Sequence, residues 1–281
     1  MSLIAEPWSF ANEVDNATGT PTQEWGTTVT PGTSNADGTA ATLLTALAFD
    51  VHYIAVGFSG YNVSGAAAYC LADVLIDPAG GTAWRSFIND LLCGYAAGKN
   101  QNLSAWYYFP VFIKSGTSIG SRVRTSHTVA PTSPRVVIYA MGNPSRPGQW
   151  WCGSVVETLG VTAASSTGTS VTPGNTGVLG TWTNIGAVTN GRYGSIQIGW
   201  NGTDSLALGQ TYHFQVGYNK QQLPGSPQIH LSVTTSETCA AEPNAGPIWC
   251  DIPQGTQMQI RGTCSSTAEV WAGGLALYGV Y

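Results

Sequence analysis

The feature of this sequence that most constrains its fold is an internal repeat. The tetrapeptide Val29-Thr30-Pro31-Gly32 returns as Val171-Thr172-Pro173-Gly174. Later landmarks recur in the same order, as the pairs Tyr53 and Tyr193, Ile88 and Ile229, Gly116 and Gly255, Arg122 and Arg261, and Tyr139 and Tyr278. Because the separation drifts by only about three residues across a whole unit, the repeat predicts two copies of one domain.

The predicted domain organisation follows from where the two copies begin and end. The first copy spans residues 7–142 and the second spans residues 149–281, with a linker at 143–148 that contains Pro and Gly. Residues 1–6 precede the first copy, and we expect them to form an N-terminal arm. A chain of 281 residues fits two domains of ordinary size.

The composition predicts an all-β protein. Charged residues make up 9% of the chain, against about a quarter in ordinary globular domains. Short apolar runs are separated by many of the 35 Gly and 15 Pro, and the hydrophobic content of 43% supplies enough apolar area for two cores. We therefore expect two tandem antiparallel β-sandwich domains of jelly-roll type, related by internal duplication.

Short β-branched and aromatic runs, about eight in each copy, are the predicted strands. The clearest are 52–58, 72–76, 106–113, 119–125 and 135–141 in the first copy and 193–200, 212–218, 229–235, 248–252, 258–264 and 275–281 in the second. One segment does not fit this pattern, because its apolar residues have the spacing of one face of an amphipathic helix. These residues are Trp84, Phe87, Ile88, Leu91, Leu92 and Tyr95. Its counterpart in the second copy alternates, so we expect 87–93 to be a strand.

The charge balance excludes several classes of partner. The net charge is −5, the pI is near 5.2 and the 10 basic residues are scattered, whereas a nucleic-acid surface needs clustered Lys and Arg. No stretch reaches the roughly 18 consecutive apolar residues of a membrane span. The first residues lack the pattern of a secretion signal. We expect synthesis in the cytoplasm, with no nucleic-acid and no membrane partner.

Motifs that match catalytic sites lack the context that catalysis requires. Gly116-Thr117-Ser118-Ile119-Gly120 matches a hydrolase nucleophile elbow, which needs a turn between a strand and a helix. A strand-like run follows instead, and the second copy has no serine there. The four histidines, His52, His127, His213 and His230, are far apart in the sequence and lack the short spacing that is typical of zinc ligands. The sequence predicts no catalytic residue, no metal site and no cofactor.

Asp73 and Asp90 are the candidates for an acidic site. If residues 77–82 turn a hairpin that pairs Ile76 with Phe87, the two carboxylates lie opposite each other. Facing carboxylates are able to bind Ca²⁺ or to act in acid–base chemistry, but opposed like charges also destabilise a hairpin. The corresponding positions in the second copy lie near Gln215 and Leu231. The repeat therefore favours a structural interpretation.

The six cysteines contain no C-x-x-C pair. In the same hairpin Cys70 lies opposite Cys93, and Cys239 and Cys250 bracket a loop rich in Pro, Gly and Asn. These two pairs are the possible disulfides. A cytoplasmic origin favours free, buried thiols instead, and both alternatives remain open.

Two aromatic runs are the candidates for a binding surface, namely Trp106-Tyr107-Tyr108 and Trp150-Trp151. Flat aromatic faces stack on sugars or pack into partner proteins. In the repeat, Trp150 corresponds to Trp8 near the start of the first copy. This correspondence favours a structural role for Trp150, as an anchor of the first strand.

Four elements follow one another in a characteristic order in the first copy: 88–92, the aromatic run 106–112, a Gly-Thr strand at 116–122 and the final strand 138–142. The second copy holds the fuller form of the third element, at 252–261, whereas the first copy has Lys114-Ser115 where a Pro-x step is expected. This order resembles small virion structural proteins of tailed bacteriophages, of the capsid-decoration or head- or tail-fibre type. The resemblance implies β-sandwich modules on capsid or tail surfaces, and assembly or host contact rather than a reaction.

Two functions from different classes remain open. The first is a non-enzymatic structural protein on the virion surface, which assembles with other virion proteins and with copies of itself. In that case the arm, through Leu3, Ile4 and Trp8, docks on a neighbouring subunit. The second is a carbohydrate-binding module that attaches to a host surface glycan. An exposed cluster of aromatic and carboxylate side chains on one copy favours the second function, whereas broad apolar surfaces favour the first.

Overall fold

The computed structural model describes residues 8–11, 26–59, 67–97, 105–128, 134–142, 151–200, 211–223, 229–235, 238–240, 247–265 and 270–281. The first half contains strands β1 (Trp8–Ala11), β2 (Thr27–Thr28), β3 (Ala41–Leu44), β4 (Tyr53–Ser59), β5 (Ala67–Asp77), β6 (Arg85–Ala97), β7 (Ala105–Phe109), β8 (Ser118–Thr125) and β9 (Arg135–Gly142).

The second half begins with β10 (Val156–Leu159), followed by a short 3-10 helix at Ala163–Ser165. Its further strands are β11 (Thr169–Val171), β12 (Thr183–Val188), β13 (Tyr193–Trp200), β14 (Thr211–Tyr218), β15 (Gln221–Gln222), β16 (Ile229–Thr235), β17 (Thr238–Ala240), β18 (Ile248–Ile252), β19 (Gln257–Cys264) and β20 (Trp271–Val280). Strands β13, β16 and β18 have the bounds that the sequence predicts.

The described strands of each half form two antiparallel sheets. In the first half these are β1-β9-β4-β7, with β2 on β9, and β3-β8-β5-β6. In the second half they are β10-β20-β13-β18, with β11 on β20, and β12-β19-β14-β16-β17, with β15 on β14. Corresponding strands therefore take the same places in both halves, in a jelly-roll order. The predicted all-β, antiparallel β-sandwich fold class is confirmed, and the domain bounds 7–142 and 149–281 stay predictions.

Two turns have the same backbone conformation in both halves. After the repeated Val-Thr-Pro-Gly, left-handed φ angles occur at Ser34 and Asn35 in the first half and at Thr176 and Gly177 in the second. A second turn has its glycine at φ +84° in Gly116 and at φ +78° in Gly255. Glycine adopts this conformation without the penalty that a Cβ imposes. The repeated turns thus place the following strands alike.

The segment with helical spacing is strand β6, as expected from its counterpart. Its register against β5 shifts at three places, between Cys70 and Leu71, between Ala72 and Val74, and between Val74 and Leu75. Each shift adds a residue on β6, and Asp90 at one of them has a left-handed φ of 59°. Bulges of this kind interrupt the two-residue alternation. The bulge between Ile88 and Leu91 puts these two side chains on one face, and Leu92 is buried as well, against a strand that has partners on both faces. Burial at these three positions reproduces a helix-like spacing in a strand.

The hairpin register predicted for this segment is wrong in detail. Residues 77–82 form the turn between β5 and β6, but Ile76 pairs with Arg85 rather than with Phe87. Cys70 pairs through its backbone with Gly94 rather than with Cys93. The first difference arises at the turn, which closes two residues earlier on β6 than predicted, before any bulge. The three residues that the bulges then add on β6 bring Cys70 opposite Gly94.

The hydrophobic core is shared between the two halves. One buried cluster fills the first sandwich, and it also contains four residues of the second half, Val156, Ala276, Tyr278 and Val280. A second cluster fills the other sandwich. Strands β10, β13 and β20 of the second half pack against β6 and β7 of the first. The two sandwiches therefore form a continuous block, while Trp249 and Asp251 of β18 remain exposed on the second half.

Candidate functional site

The structure separates the predicted aromatic residues into buried and exposed ones. Tyr107 is in the core with 1% of its surface exposed, so its assignment to a binding surface is wrong. Trp106 stacks on Tyr139, with ring centroids 5.9 Å apart, and half-buried Tyr108 lies 6.3 Å from the ring of Tyr53. Alternation along β7 explains this division, because successive side chains point to opposite faces.

Trp150 lies outside the described residues, and Trp151 is 47% exposed. The proposed correspondence of Trp150 with Trp8 is not supported by the strand register. Trp8 in β1 pairs with Gly142, whereas in the second half Val155 exchanges main-chain hydrogen bonds with Tyr281. Val155 therefore takes the place of Trp8.

Trp151 forms one wall of an open cleft of about 400 Å³ on the second half. The other wall is Trp249, which is 58% exposed and which the sequence analysis missed. The two indole rings are 5.8 Å apart between centroids and inclined at 80°. The cleft is completed by Arg192, Tyr193, Gly194, Cys250 and Asp251.

Strand alternation places the cleft residues on the outer face. In β18 the side chains of Ile248 and Ile252 are buried, while Trp249 and Asp251 between them are exposed. The signal that indicates Trp249 is therefore a tryptophan on the outward positions of an alternating strand. Pairing of β13 with β18 then brings Arg192 beside Asp251, although the two are far apart in sequence.

Gly194 allows Trp151 to lie against β13. A Cβ at this position would be 2.2 Å from the Cζ2 atom of Trp151. No such contact is tolerated between real atoms, so any side chain at position 194 displaces the indole ring. The close approach of ring and backbone is the physical requirement for glycine here.

The polar side of the cleft is a bidentate ion pair. Arg192 donates from Nε to Oδ1 of Asp251 and from Nη2 to Oδ2, both at 2.6 Å. These hydrogen bonds lower the pKa of the Asp251 carboxyl below its ordinary value. The pair is solvent-exposed, so it contributes little to stability, but each partner fixes the orientation of the other.

The remaining cleft residues are neutral near pH 7. Burial raises the pKa of the Cys250 thiol to about 12, and the charge of Asp251 adds to this shift. Burial also raises the pKa of Tyr193, whose hydroxyl donates to Glu157 Oε2 at 2.7 Å. A thiol in this state is a poor nucleophile. Cys250 therefore does not supply a reactive thiolate to the cleft near pH 7.

The corresponding place in the first half is apolar. His52 directly precedes β4 as Arg192 precedes β13, and Phe112 lies four residues before the turn glycine, as Asp251 does in the second half. The His52 and Phe112 rings are in contact, 5.6 Å apart between centroids. The same two positions thus hold an aromatic pair in one half and an ion pair in the other.

The predicted acidic pair is brought together, but not as facing carboxylates. Buried Asp73 accepts the main-chain N–H of Asp90 at 2.8 Å and the Nε–H of Arg122 at 2.8 Å. Arg124 donates to Asp90 Oδ1 at 2.5 Å, and both arginines also pair with Asp37. Burial raises the pKa of Asp90, which the charge of Arg124 opposes. Two guanidinium groups thus neutralise most of the negative charge.

The second half repeats this contact with a neutral acceptor. Arg261 donates from Nε to Oε1 of Gln215 at 3.1 Å, as Arg122 does to Asp73. The guanidinium of Arg261 also lies 4.3 Å from the ring centroid of Trp182. Because an uncharged amide takes the same place, the contact is part of the sheet framework rather than an acid–base device.

The other predicted positions carry no catalytic arrangement. Ser118 is buried in β8, and its Oγ accepts the N–H of Ala46 at 3.2 Å, so it is not on a strand-to-helix turn. Strands β14 and β16 bring His213 opposite His230 in register, a proximity that was not predicted from the sequence.

Within the described ranges, no group of three or more His, Cys, Asp or Glu residues could hold a metal ion. No helix in those ranges is long and apolar enough to cross a membrane.

The structure places one of the two possible disulfide pairs in contact. The Sγ atoms of Cys70 and Cys93 are 3.0 Å apart in the core, and both are free thiols. Burial raises the pKa of Cys70 well above its ordinary value. Cys239 and Cys250 lie on β17 and β18, which belong to different sheets. Disulfide formation at either pair stays a prediction.

The N-terminal arm lies largely outside the described residues. This applies to Leu3 and Ile4, so the structure does not test their predicted docking. Trp8, the third residue assigned to the arm, begins β1 and pairs with Gly142 in the first sandwich.

No protein-family model and no curated protein matches this sequence. Among solved structures it is similar to the STIV MCP, with a TM-score of 0.37 and 10% identity over 98% of this chain and 96% of that one. It is also similar to the PBSX exported protein XepA, with a TM-score of 0.25 and 11% identity over 91% and 85%. A third similarity is to the CBM22-1-CBM22-2 tandem domain of Paenibacillus barcinonensis Xyn10C, with a TM-score of 0.27 and 9% identity over 86% and 80%. At these scores the likeness is weak and carries no argument about function.

Proposed function

We propose that this chain is a non-enzymatic structural protein of a tailed-phage virion, made in the host cytoplasm and attached to the capsid or tail surface. It assembles through contacts with other virion proteins and with copies of itself, as a decoration protein or part of a tail fibre. The arm, through Leu3 and Ile4, contributes to these contacts.

The observation that supports this proposal is the shared core of the two sandwiches. Tyr278 of the second half is fully buried against the first, with its ring centroid 5.3 Å from that of Tyr107. Its hydroxyl accepts the main-chain N–H of Leu92 and donates to the carbonyl of Asp90. A domain pair locked by buried polar and aromatic contacts resists hinge motion. Such a rigid block suits a building unit of a particle.

Exposed apolar side chains offer contact area for assembly. Val178 is 66% exposed, and Leu179 and Val188 are also exposed. Exposed apolar residues at neighbouring positions, such as Val178 and Leu179, supply apolar area that a protein–protein contact buries.

The test is the assembly state of the purified chain. Sedimentation velocity over a range of concentrations, with negative-stain electron microscopy, is expected to show discrete oligomers or regular particles. Val178→Asp is expected to shift the distribution to smaller species, while Val178→Ala serves as the matched control. A chain that stays monomeric at every concentration, with no regular particle in the images, contradicts the proposal.

The second candidate function is adhesion to a host surface glycan. The observation that favours it is the cleft, because it combines two exposed tryptophans with a carboxylate. This combination occurs in the second half, whereas the positions of Arg192 and Asp251 hold His52 and Phe112 in the first half. Binding of the wild-type chain to an array of glycans separates this function from assembly alone.

A further inference from the structure

We propose that the cleft of Trp151, Arg192, Gly194, Trp249 and Asp251 binds a single neutral pyranose unit at the end of a glycan. This inference rests on the second candidate function, adhesion to a glycan, and names its site and its ligand class. It does not depend on the assembly of the chain into a particle.

The walls of the cleft suit the apolar face of a sugar. A pyranose presents C–H groups on its faces, and the negative face of an aromatic ring attracts such hydrogens. Trp151 and Trp249 are 47% and 58% exposed, large values for a residue type that is usually mostly buried. These two exposed indole rings thus supply the stacking surfaces.

The angle between the walls sets the size of the ligand. Two rings inclined at 80° with centroids 5.8 Å apart form a corner rather than a flat platform. A flat platform is suited to several sugars of an extended chain, whereas a corner encloses one ring on two sides. The volume of about 400 Å³ falls at the small end of the range for small-molecule sites.

The ion pair suits the hydroxyl groups of the same sugar. A guanidinium has five N–H donors, and the bonds to Asp251 use one on Nε and one on Nη2. Three further N–H donors of the guanidinium are not used in this ion pair, and both residues line the cleft. Since a hydroxyl both donates and accepts, a fixed donor beside a fixed acceptor matches it with little loss of entropy.

The same pair selects against charged sugars. The positive charge of Arg192 is already paired by Asp251, so the two sum to zero. A carboxylated sugar would meet the like charge of Asp251 and compete with it for Arg192. Neutral hexoses meet neither obstacle.

The binding experiment uses the full chain with an array of neutral and acidic glycans, followed by titration with methyl β-D-galactopyranoside and methyl β-D-glucopyranoside. Tryptophan fluorescence and calorimetry report the affinity and the stoichiometry. We expect neutral glycans to be retained, with one site per chain. Trp151→Ala and Trp249→Ala are each expected to weaken binding at least about ten-fold. Gly194→Ala is expected to do the same, because its Cβ displaces the ring of Trp151.

Val270→Ala is the matched control, since it removes an exposed apolar side chain that belongs neither to the cleft nor to the proposed assembly surface. Thermal melting of every variant checks that it folds. Failure of wild-type chain to retain any glycan overturns both this inference and the second candidate function. Glycan retention that is unchanged in all three cleft variants overturns the inference alone.

Discussion

The hydroxyl of Tyr278 accepts a hydrogen bond from the main-chain N–H of Leu92, 2.8 Å away and 186 positions earlier in the chain. Tyr107 donates to the carbonyl of the same residue, and the two tyrosine rings meet edge to face. The bulged strand β6 therefore has its main-chain groups satisfied by side chains from both halves. This relationship couples the stability of one sandwich to that of the other.

Replacement of Tyr278 by Phe is expected to destabilise the whole chain. The change leaves the buried N–H of Leu92 without its acceptor, which costs about 1–3 kcal/mol. The melting temperature should fall by roughly 2–10 °C in a chain of this size. Tyr218→Phe, in a partly exposed position, is the control and should change it little. A melting temperature equal to wild type in Tyr278→Phe would sink the idea of a structural bond between the halves.

The Arg122–Asp73 pair and the Arg192–Asp251 pair should differ sharply in their contribution to stability. Asp73→Asn leaves one oxygen to accept bonds from both Asp90 and Arg122, in a site where Asp73 is 2% exposed. We expect a loss of about 2–4 kcal/mol, less than for a fully buried pair because Arg122 is partly exposed. Asp251→Asn, in the exposed pair, should leave the denaturation midpoint unchanged. Equal effects in urea denaturation would contradict this contrast.

Asp77 should make stability depend on pH. Its carboxylate accepts the N–H groups of Ala79 and Ala83, both at 2.9 Å, and the bond from Ala79 is the largest cause of a pKa below the ordinary value. A lowered pKa means that the stabilisation is present above the ordinary Asp value of about 4 and is lost as the pH falls through the folded-state pKa.

The measurement is the denaturation midpoint between about pH 6 and pH 3 for wild type and Asp77→Asn. Wild type is expected to lose more stability on acidification than the variant, which has no carboxylate to protonate at this turn. Parallel curves for the two proteins would show that Asp77 makes no such contribution.

Cys70 and Cys93 are expected to form a disulfide when the chain refolds with glutathione disulfide. Their Sγ atoms are already 3.0 Å apart, so the reaction needs little movement. Two thiols are oxidised while one glutathione disulfide is reduced to two glutathione molecules. Mass spectrometry of tryptic peptides should show the Cys70–Cys93 cross-link, and Cys70→Ser should abolish it. Refolded chain in which both residues alkylate fully would refute the prediction.

Deletion of residues 1–6 should leave both sandwiches folded but weaken assembly. Leu3 and Ile4 precede β1, and burial of such side chains on a neighbour stabilises a contact by about 1.5–3 kcal/mol each. The melting temperature of the truncated chain and its fraction in oligomers are the two measurements. Unchanged assembly, or a large fall in melting temperature of the isolated chain, would count against a docking arm.

The repeat allowed β6 to be predicted as a strand despite its helical spacing. The sequence could not show the three bulges that produce this spacing, since a bulge is visible only when the partner strand is known. The predicted pairing of Ile76 with Phe87 failed because the turn closes two residues earlier on β6, where Arg85 pairs with Ile76. Register depends on contacts between strands, whereas the periodicity of one strand depends only on its own burial.

The candidate site was predicted in part. Trp151 was predicted as a candidate binding residue and lines the cleft, whereas Tyr107, predicted on the same kind of surface, lies in the core. Trp249 was missed because its outward position depends on which face of β18 is covered. An aromatic residue favours burial and exposed binding surfaces alike, so residue type could not separate the two.

The sequence by itself determined the all-β class, the turns and the position of most strands, because these follow from residue preferences and from alternation between near neighbours. Tertiary structure alone decided that Trp151, Arg192 and Trp249 meet in one cleft, and that Tyr278 enters the core of the other half. Those contacts join residues far apart in the chain, and the pairing of β13 with β18 and the packing of β20 against β6 bring them together. The spacing of these residues along the sequence does not predict such contacts, because the contacts form only when the strands pair and the sheets pack.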